Sequence, residues 1–189
     1  MKYPNNIKKN YQNPLSFKNR GMDLEEELNI SNEYYIEIDK ALIYKKPTPI
    51  GVADVSYNPR GKVIEKAYFK EQSTLDYNGL YRGKYIEYEA KVTKNKTSFP
   101  LQNIHEHQVL FMQDFEDQGG IAFLLICFSS EQRYFYLPFK HLVEFWNRSK
   151  TGHRKSFHME ELDPAFEISC QGYYLNYLTA IQKDLDGRT

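Results

Sequence analysis

Eight consecutive apolar residues, "IAFLLICF" at 121 to 128, constrain the fold of this 189-residue chain more than any other stretch. The run falls far short of the roughly 20 residues that a membrane helix needs, and it suits a buried strand. No membrane span is expected. Cys127 lies inside this run and Cys170 stands alone, so neither a disulfide framework nor a cysteine metal site is expected.

The elements around the run describe what encloses it. Leu24, Leu28, Ser31, Tyr35 and Ile38 recur at helical spacing behind a cluster of acids, predicting a helix over 22–39. "ALIYKK" reads as a short strand stopped by Pro47 and Pro49. "IGVADVSY" and "KVIEKAYF" flank "NPRG", which predicts a β-hairpin over 50–70. Such an arm buries little alone, so it projects into a partner subunit or lies across a ligand. Strands at 76–81 and 84–92 follow, with a bend at Arg82 and Gly83. A helix over 103–118 presents Ile104, Gln108, Phe111 and Phe115 on one side and stops at Gly119 and Gly120. After the buried strand come the strand "RYFYLP" and helices at 139–148 and 172–185, the last with Tyr174, Leu178, Ile181 and Leu185 on one stripe. This order fits an α/β fold, a mixed β-sheet flanked by helices. The length favours a single domain over 22–189, hairpin included, preceded by a basic, flexible N-terminal arm over 1–21.

That arm has basic residues but neither an apolar core nor a small-residue cleavage site, so it does not read as a secretory signal, and a cytoplasmic protein is expected. The formal net charge is zero, yet the charges are segregated. Residues 1–22 carry five Lys/Arg and no acid, 23–39 seven acids and no Lys/Arg, and 40–96 twelve basic and six acidic residues. Four basic residues and His153 occupy 148–155 with no acid. Basic segments that converge in space still make an anion-binding face, because local potential steers a charged ligand.

In the strand "KYIEYEAKVT", Ile86, Tyr88, Ala90 and Val92 point one way, onto the core, while Glu87, Glu89, Lys91 and Thr93 point the other. A solvated polar face is the ordinary reading. However, hairpin pairing brings Asp76, thirteen residues before Glu89, towards it, and "EAK" is the one place where an acid precedes a Lys by two positions. Adjacent carboxylates repel unless a cation joins them, and carboxylate oxygens with a phosphate are the ligand set that Mg²⁺ prefers. Such a site suits phosphodiester hydrolysis, with the Lys91 ammonium orienting the nucleophile or offsetting developing charge.

The stretches "NRGMDLEEELN", "KKPTP", "AYFKEQSTLDYNGLYRGKYIEYEAKVTKNKTSFPLQNIHEHQ" and "FWNRSKTGHRKS" resemble the RecU-type Holliday junction resolvases, within the restriction-endonuclease-like nuclease superfamily. The resemblance runs from Arg20 to about Ser156. It implies a restriction-endonuclease-like core in which Asp76, Glu89, Thr74 and Gln108 hold the metal and Lys91 stabilises the transition state. On the residues alone, Thr74 reads equally as a surface threonine and Gln108 as a satisfied core amide. Glu25 is either an acid at a helix N-terminus or a group that positions metal or water. Arg20, Lys94, Lys96, Arg148, Arg154 and Lys155, with Arg60 and Lys62 of the hairpin, are the candidate DNA contacts; singly, each also reads as a solvated charge. His105 and His107, two apart and about 200° around a helix, are not expected to share a zinc ion.

The resemblance further implies that hairpin 50–70 is the protruding stalk that enters the junction centre. Two strands to be cut symmetrically make a homodimer the economical assembly. The implied activity is a Mg²⁺-dependent endonuclease, with Mn²⁺ able to substitute. It resolves four-way junctions by paired nicks leaving 5'-phosphates, in recombination and repair. Alternatives are a nuclease for other branched or damaged DNA, or a non-catalytic junction binder that modulates a strand-exchange recombinase. The family's "DFEAKET" is "EYEAKVT" here, which puts Glu87 and Val92 in place of an Asp and a Glu.

Overall fold

The computed structural model describes residues 23–70 and 74–188, so the arm at 1–21 and Arg20 lie outside the described residues. The elements are α1 (Leu24–Glu37), β1 (Leu42–Lys45), β2 (Ile50–Asn58), β3 (Gly61–Phe69), β4 (Tyr77–Tyr81), β5 (Lys84–Thr93) and β6 (Ser98–Pro100). They continue as α2 (Glu106–Asp117), β7 (Ile121–Phe128), β8 (Arg133–Pro138), α3 (Phe139–Lys150), β9 (Ser156–His158), β10 (Glu167–Ile168), β11 (Cys170–Gln171), β12 (Tyr174–Leu175) and α4 (Leu178–Asp186). Short 3₁₀ turns link several of them.

β7 explains the architecture. Phe123, Leu125 and Cys127 join a core with α1 and α4, while Ala122, Leu124, Ile126 and Phe128 join a second core with α2 and α3. A strand covered on both faces has no position where a polar side chain meets water, hence the unbroken apolar run. Around it the sheet runs β1-β4-β5-β7-β8-β10, with β5 parallel to β7 and the other neighbours antiparallel. The expected mixed sheet flanked by helices is therefore present.

Local chemistry fixes the parts near the site. The Asp23 carboxylate caps α1 by accepting from the Glu26 amide at 2.8 Å, and Glu25, Glu26 and Glu27 occupy the first turn, where the dipole favours them. Gly79 lets β1 approach β4: a Cβ there would lie 2.1 Å from the Leu42 carbonyl oxygen. The β4–β5 bend places Arg82 and Gly83 at positive φ, as a two-residue hairpin turn requires.

β2 and β3 form a separate two-stranded sheet whose residues are nearly all exposed, the protruding hairpin expected from the sequence. Two expectations are corrected. The last helix begins at Leu178; Tyr174 lies in β12, paired with Gln171 across a turn in which Gly172 has φ of 69°. The face of α2 also shifts, with Gln108, Val109 and Met112 buried and Ile104 ahead of the helix.

Candidate active site

The β4–β5 ladder pairs Tyr77 with Tyr88, so Asp76, one residue before β4, falls opposite Glu89. The Asp76 amide donates to Glu89 Oε2 at 3.1 Å, and Lys91 Nζ lies 2.9 Å from Glu89 Oε1. Three residues thus meet through one carboxylate, and Glu89 and Lys91 share a face because they are two apart in an extended chain.

That polar face is not solvated. Glu87, Glu89 and Lys91 pair with Ala122, Leu124 and Ile126 of β7, residues of the core under α2 and α3, and only 4% of Glu87 and 4% of Glu89 is exposed. The face expected to pack on the core does so over Ile86 and Tyr88 and, half-buried, over Ala90, but Val92 is 47% exposed. β4 starts at Tyr77, opposite Tyr88, and among the described residues no strand pairs with β5 beyond that point on this edge.

Burial raises the Asp76 carboxyl to about 6; the Glu89 charge and hydrogen bond add to the shift, and Lys91 and Lys45 oppose it. Two carboxylates in a poorly solvated place resist joint ionisation, and a cation between them reverses that. Glu25 forms an ion pair with Lys45. With Asp23, Leu24, Asp76, Tyr77, Ala90 and Val92 it lines a cavity of about 230 Å³ at the α1 N-terminus. A larger depression of about 540 Å³, lined by Lys96, Arg133, Met159 and Leu162 among others, shares no lining residue with this one.

The remaining candidates are less closely drawn in. Thr74 is half-buried in the bend just before Asp76. Gln108 is buried, and its side-chain oxygen accepts from the His105 amide at 3.1 Å, closing a capping box on α2. Among the described residues, no three or more His, Cys, Asp or Glu cluster to hold a metal ion. The donor set is a pair of carboxylates, which fits a hard cation that keeps several waters, such as Mg²⁺.

His105 and His107 are not on opposite sides of a helix: their rings stack at 5.4 Å with 6° between planes, because His105 is the extended N-cap residue. Of the candidate DNA contacts, Lys94, Lys96, Lys155 and Arg60 are exposed, and Lys62 reaches over the Tyr57 ring. Arg148 and Arg154 both pair with Glu161. Sequence reasoning missed Lys46, whose ammonium lies 2.5 Å from Glu87 Oε2. It stands within "KKPTP", but nothing in the spacing of that stretch points to Glu87.

Among the described residues no helix is long and apolar enough to cross a membrane. The family model described as "Recombination protein U" matches residues 19–183. A Holliday junction resolvase RecU of Staphylococcus carnosus is 49% identical over 89% of this chain and 83% of its own length. The protein of that name from Oceanobacillus iheyensis is 45% identical over 97% and 98%. A solved structure of the Archaeoglobus fulgidus Hjc resolvase aligns at a TM-score of 0.32 and 10% identity, covering 59% of this chain and 73% of that one. With nearly its whole described length matched by the family model, and relatives near half identity over most of both chains, the chain belongs to the RecU family.

Proposed function

We propose that this protein is a structure-specific endonuclease that resolves four-way DNA junctions by paired, symmetrical nicks. The reading rests on one observation, the convergence of Asp76, Glu89 and Lys91 where β4 begins beside β5. The names of its RecU relatives, Holliday junction resolvases, supply the substrate class. A protein that only bound junctions would gain nothing from two mutually repelling carboxylates beside phosphate.

Asp76 and Glu89 would hold a divalent cation, Mg²⁺ or Mn²⁺, with Thr74 and Gln108 as further candidate ligands. A cation held there would supply Lewis acidity for phosphodiester hydrolysis. The chain itself orients Glu89 from both sides, by the Asp76 amide and the Lys91 ammonium. Lys91 is only 16% exposed in its side chain, so its charge is weakly screened and acts on the negative charge that builds at the phosphate. Glu25, at the rim of the cavity, positions water. The products are a 5'-phosphate and a 3'-hydroxyl.

Exposed Ile50, Val52, Val63, Ile64, Tyr68 and Phe69 support contact between the hairpin and a second copy or the junction. A two-fold homodimer would present two sites to the two strands. Lys94, Lys96, Lys155, Arg60 and Lys62 are the proposed phosphate contacts, joined by Arg20, Arg148 and Arg154. The setting is cytoplasmic recombination and repair, with a strand-exchange recombinase as a further partner.

The deciding experiment compares wild type and Asp76→Ala on a synthetic four-way junction, a flap and plain duplex at equal salt, with Mg²⁺. Loss of nicking in the variant, with the junction preferred by the wild type, is expected. A variant that cuts at the wild-type rate removes the site assignment, equal rates on all three substrates remove the resolvase reading, and binding without cutting by the wild type leaves a junction-binding module.

A further inference from the structure

Glu87 sits two residues before Glu89 on the same face, yet both of its oxygens are already committed. Oε2 lies 2.5 Å from Lys46 Nζ, and Oε1 accepts from the Tyr85 hydroxyl at 3.3 Å. That hydroxyl in turn accepts from Asn78 Nδ2 at 2.7 Å, and the Lys46 ammonium also stands 5.6 Å from the centre of the Phe111 ring in α2. Both partners are shielded, with 5% of the Glu87 and 18% of the Lys46 side chain exposed. A pair so enclosed is weakly screened, and losing one member leaves an uncompensated charge.

Lys46 has a second attachment. Its backbone amide donates to the Asp76 carbonyl at 2.7 Å, while the Asp76 amide donates to Glu89. Lys46 therefore links two places: its side chain is fixed to β5 through Glu87, and its main chain holds the peptide that carries Asp76. We infer that the Lys46–Glu87 pair is a positioning clamp that sets the separation of Asp76 and Glu89, and with it the affinity of the site for a divalent cation. Glu87 itself is no ligand. The inference rests on the proposed reading of Asp76 and Glu89 as the metal-holding carboxylates.

The experiment measures Mn²⁺ binding to the full chain by the decrease of the free-ion spin-resonance signal. The proteins are wild type, Glu87→Gln, Lys46→Met, the double variant, Tyr85→Phe and Asp76→Asn. Melting curves and junction affinity in EDTA are recorded alongside. Removing a group that supports a metal ligand changes affinity by about 10–100-fold, and a rise of that size in the Mn²⁺ dissociation constant is expected for Glu87→Gln. The double variant should be no worse than the worse single one, because the two residues act as a unit. Tyr85→Phe, which removes one hydroxyl and no charge, should shift Mn²⁺ binding in the same direction by less and keeps the test open should a charge variant fail to fold. Junction affinity in EDTA should stay at the wild-type value.

Unchanged Mn²⁺ binding in Glu87→Gln and Tyr85→Phe, with Asp76→Asn impaired, overturns the clamp and leaves the site intact. Wild-type Mn²⁺ binding by Asp76→Asn overturns the site assignment itself. A drop in junction affinity with Mn²⁺ binding unaltered would make Lys46 a phosphate contact and also end the inference.

Discussion

The amide of Asp76 and the carboxylate of Glu89 are joined at 3.1 Å, where the β4–β5 register places Asp76 opposite Glu89. This bond orients Glu89, so in the proposed site one residue, Asp76, serves as both support and ligand.

Lys91→Met should separate binding from chemistry. Removing a charge that acts mainly on the transition state lowers kcat by about 10²–10³-fold. Junction affinity in EDTA should move little. Single-turnover cleavage under saturating Mg²⁺, with anisotropy on a labelled junction, measures both.

Gly79→Ala should destabilise the fold by about 1–3 kcal/mol, since the new methyl meets the main chain of β1, which cannot rotate away. A lower urea midpoint with an unchanged slope is expected. Because β1 leads into Lys45 and Lys46, Mg²⁺ demand should rise in the same variant.

Glu27 is buried in α1, where loss of solvation raises its carboxyl, with Asp23 adding and the Tyr134 hydroxyl bond opposing. Its folded pKa thus lies above the unfolded value of about 4.3, and the folded state binds the extra proton. Stability therefore falls as pH rises from the unfolded towards the folded pKa and is level above it. Glu27→Gln should flatten this slope and exceed the wild type in stability at neutral pH, as urea titrations at several pH values will read.

Lys96→Ala and Lys155→Ala should each lower the slope of log affinity against log salt by about 0.9 for every phosphate left without its cation. Arg148→Ala should act differently. Arg148 bonds Glu161 and the Ser156 carbonyl and lies over the Phe145 ring, so its removal should lower the melting temperature, by differential scanning calorimetry, more than it alters the salt slope.

Much of this was legible in the sequence because the signals were local and periodic. "IAFLLICF" and "RYFYLP" are strands over the residues their patterns mark, and the Arg82–Gly83 bend sufficed to face Asp76 towards Glu89. What escaped depends on residues far apart in the chain. Alternation gives Glu87 and Glu89 a common side but not the α2 and α3 layer that covers it, nor the Lys46 that neutralises Glu87. Tyr174 fits a helical stripe by spacing, yet the positive φ of Gly172 turns the chain into a short hairpin first. The stacked histidines escaped for a similar reason, because one extended residue ahead of α2 cancels the helical offset between them.

The β2–β3 arm carries a last consequence. Ile50 and Phe69, register partners at its root, are 48% and 80% exposed, while Arg60 and Lys62 stand at or beside its polar tip. An isolated two-stranded ribbon is marginal in water, so its persistence is set by whatever covers that root. In the proposed homodimer its order becomes a function of concentration, and dilution alone should loosen it while the six-stranded sheet stays intact.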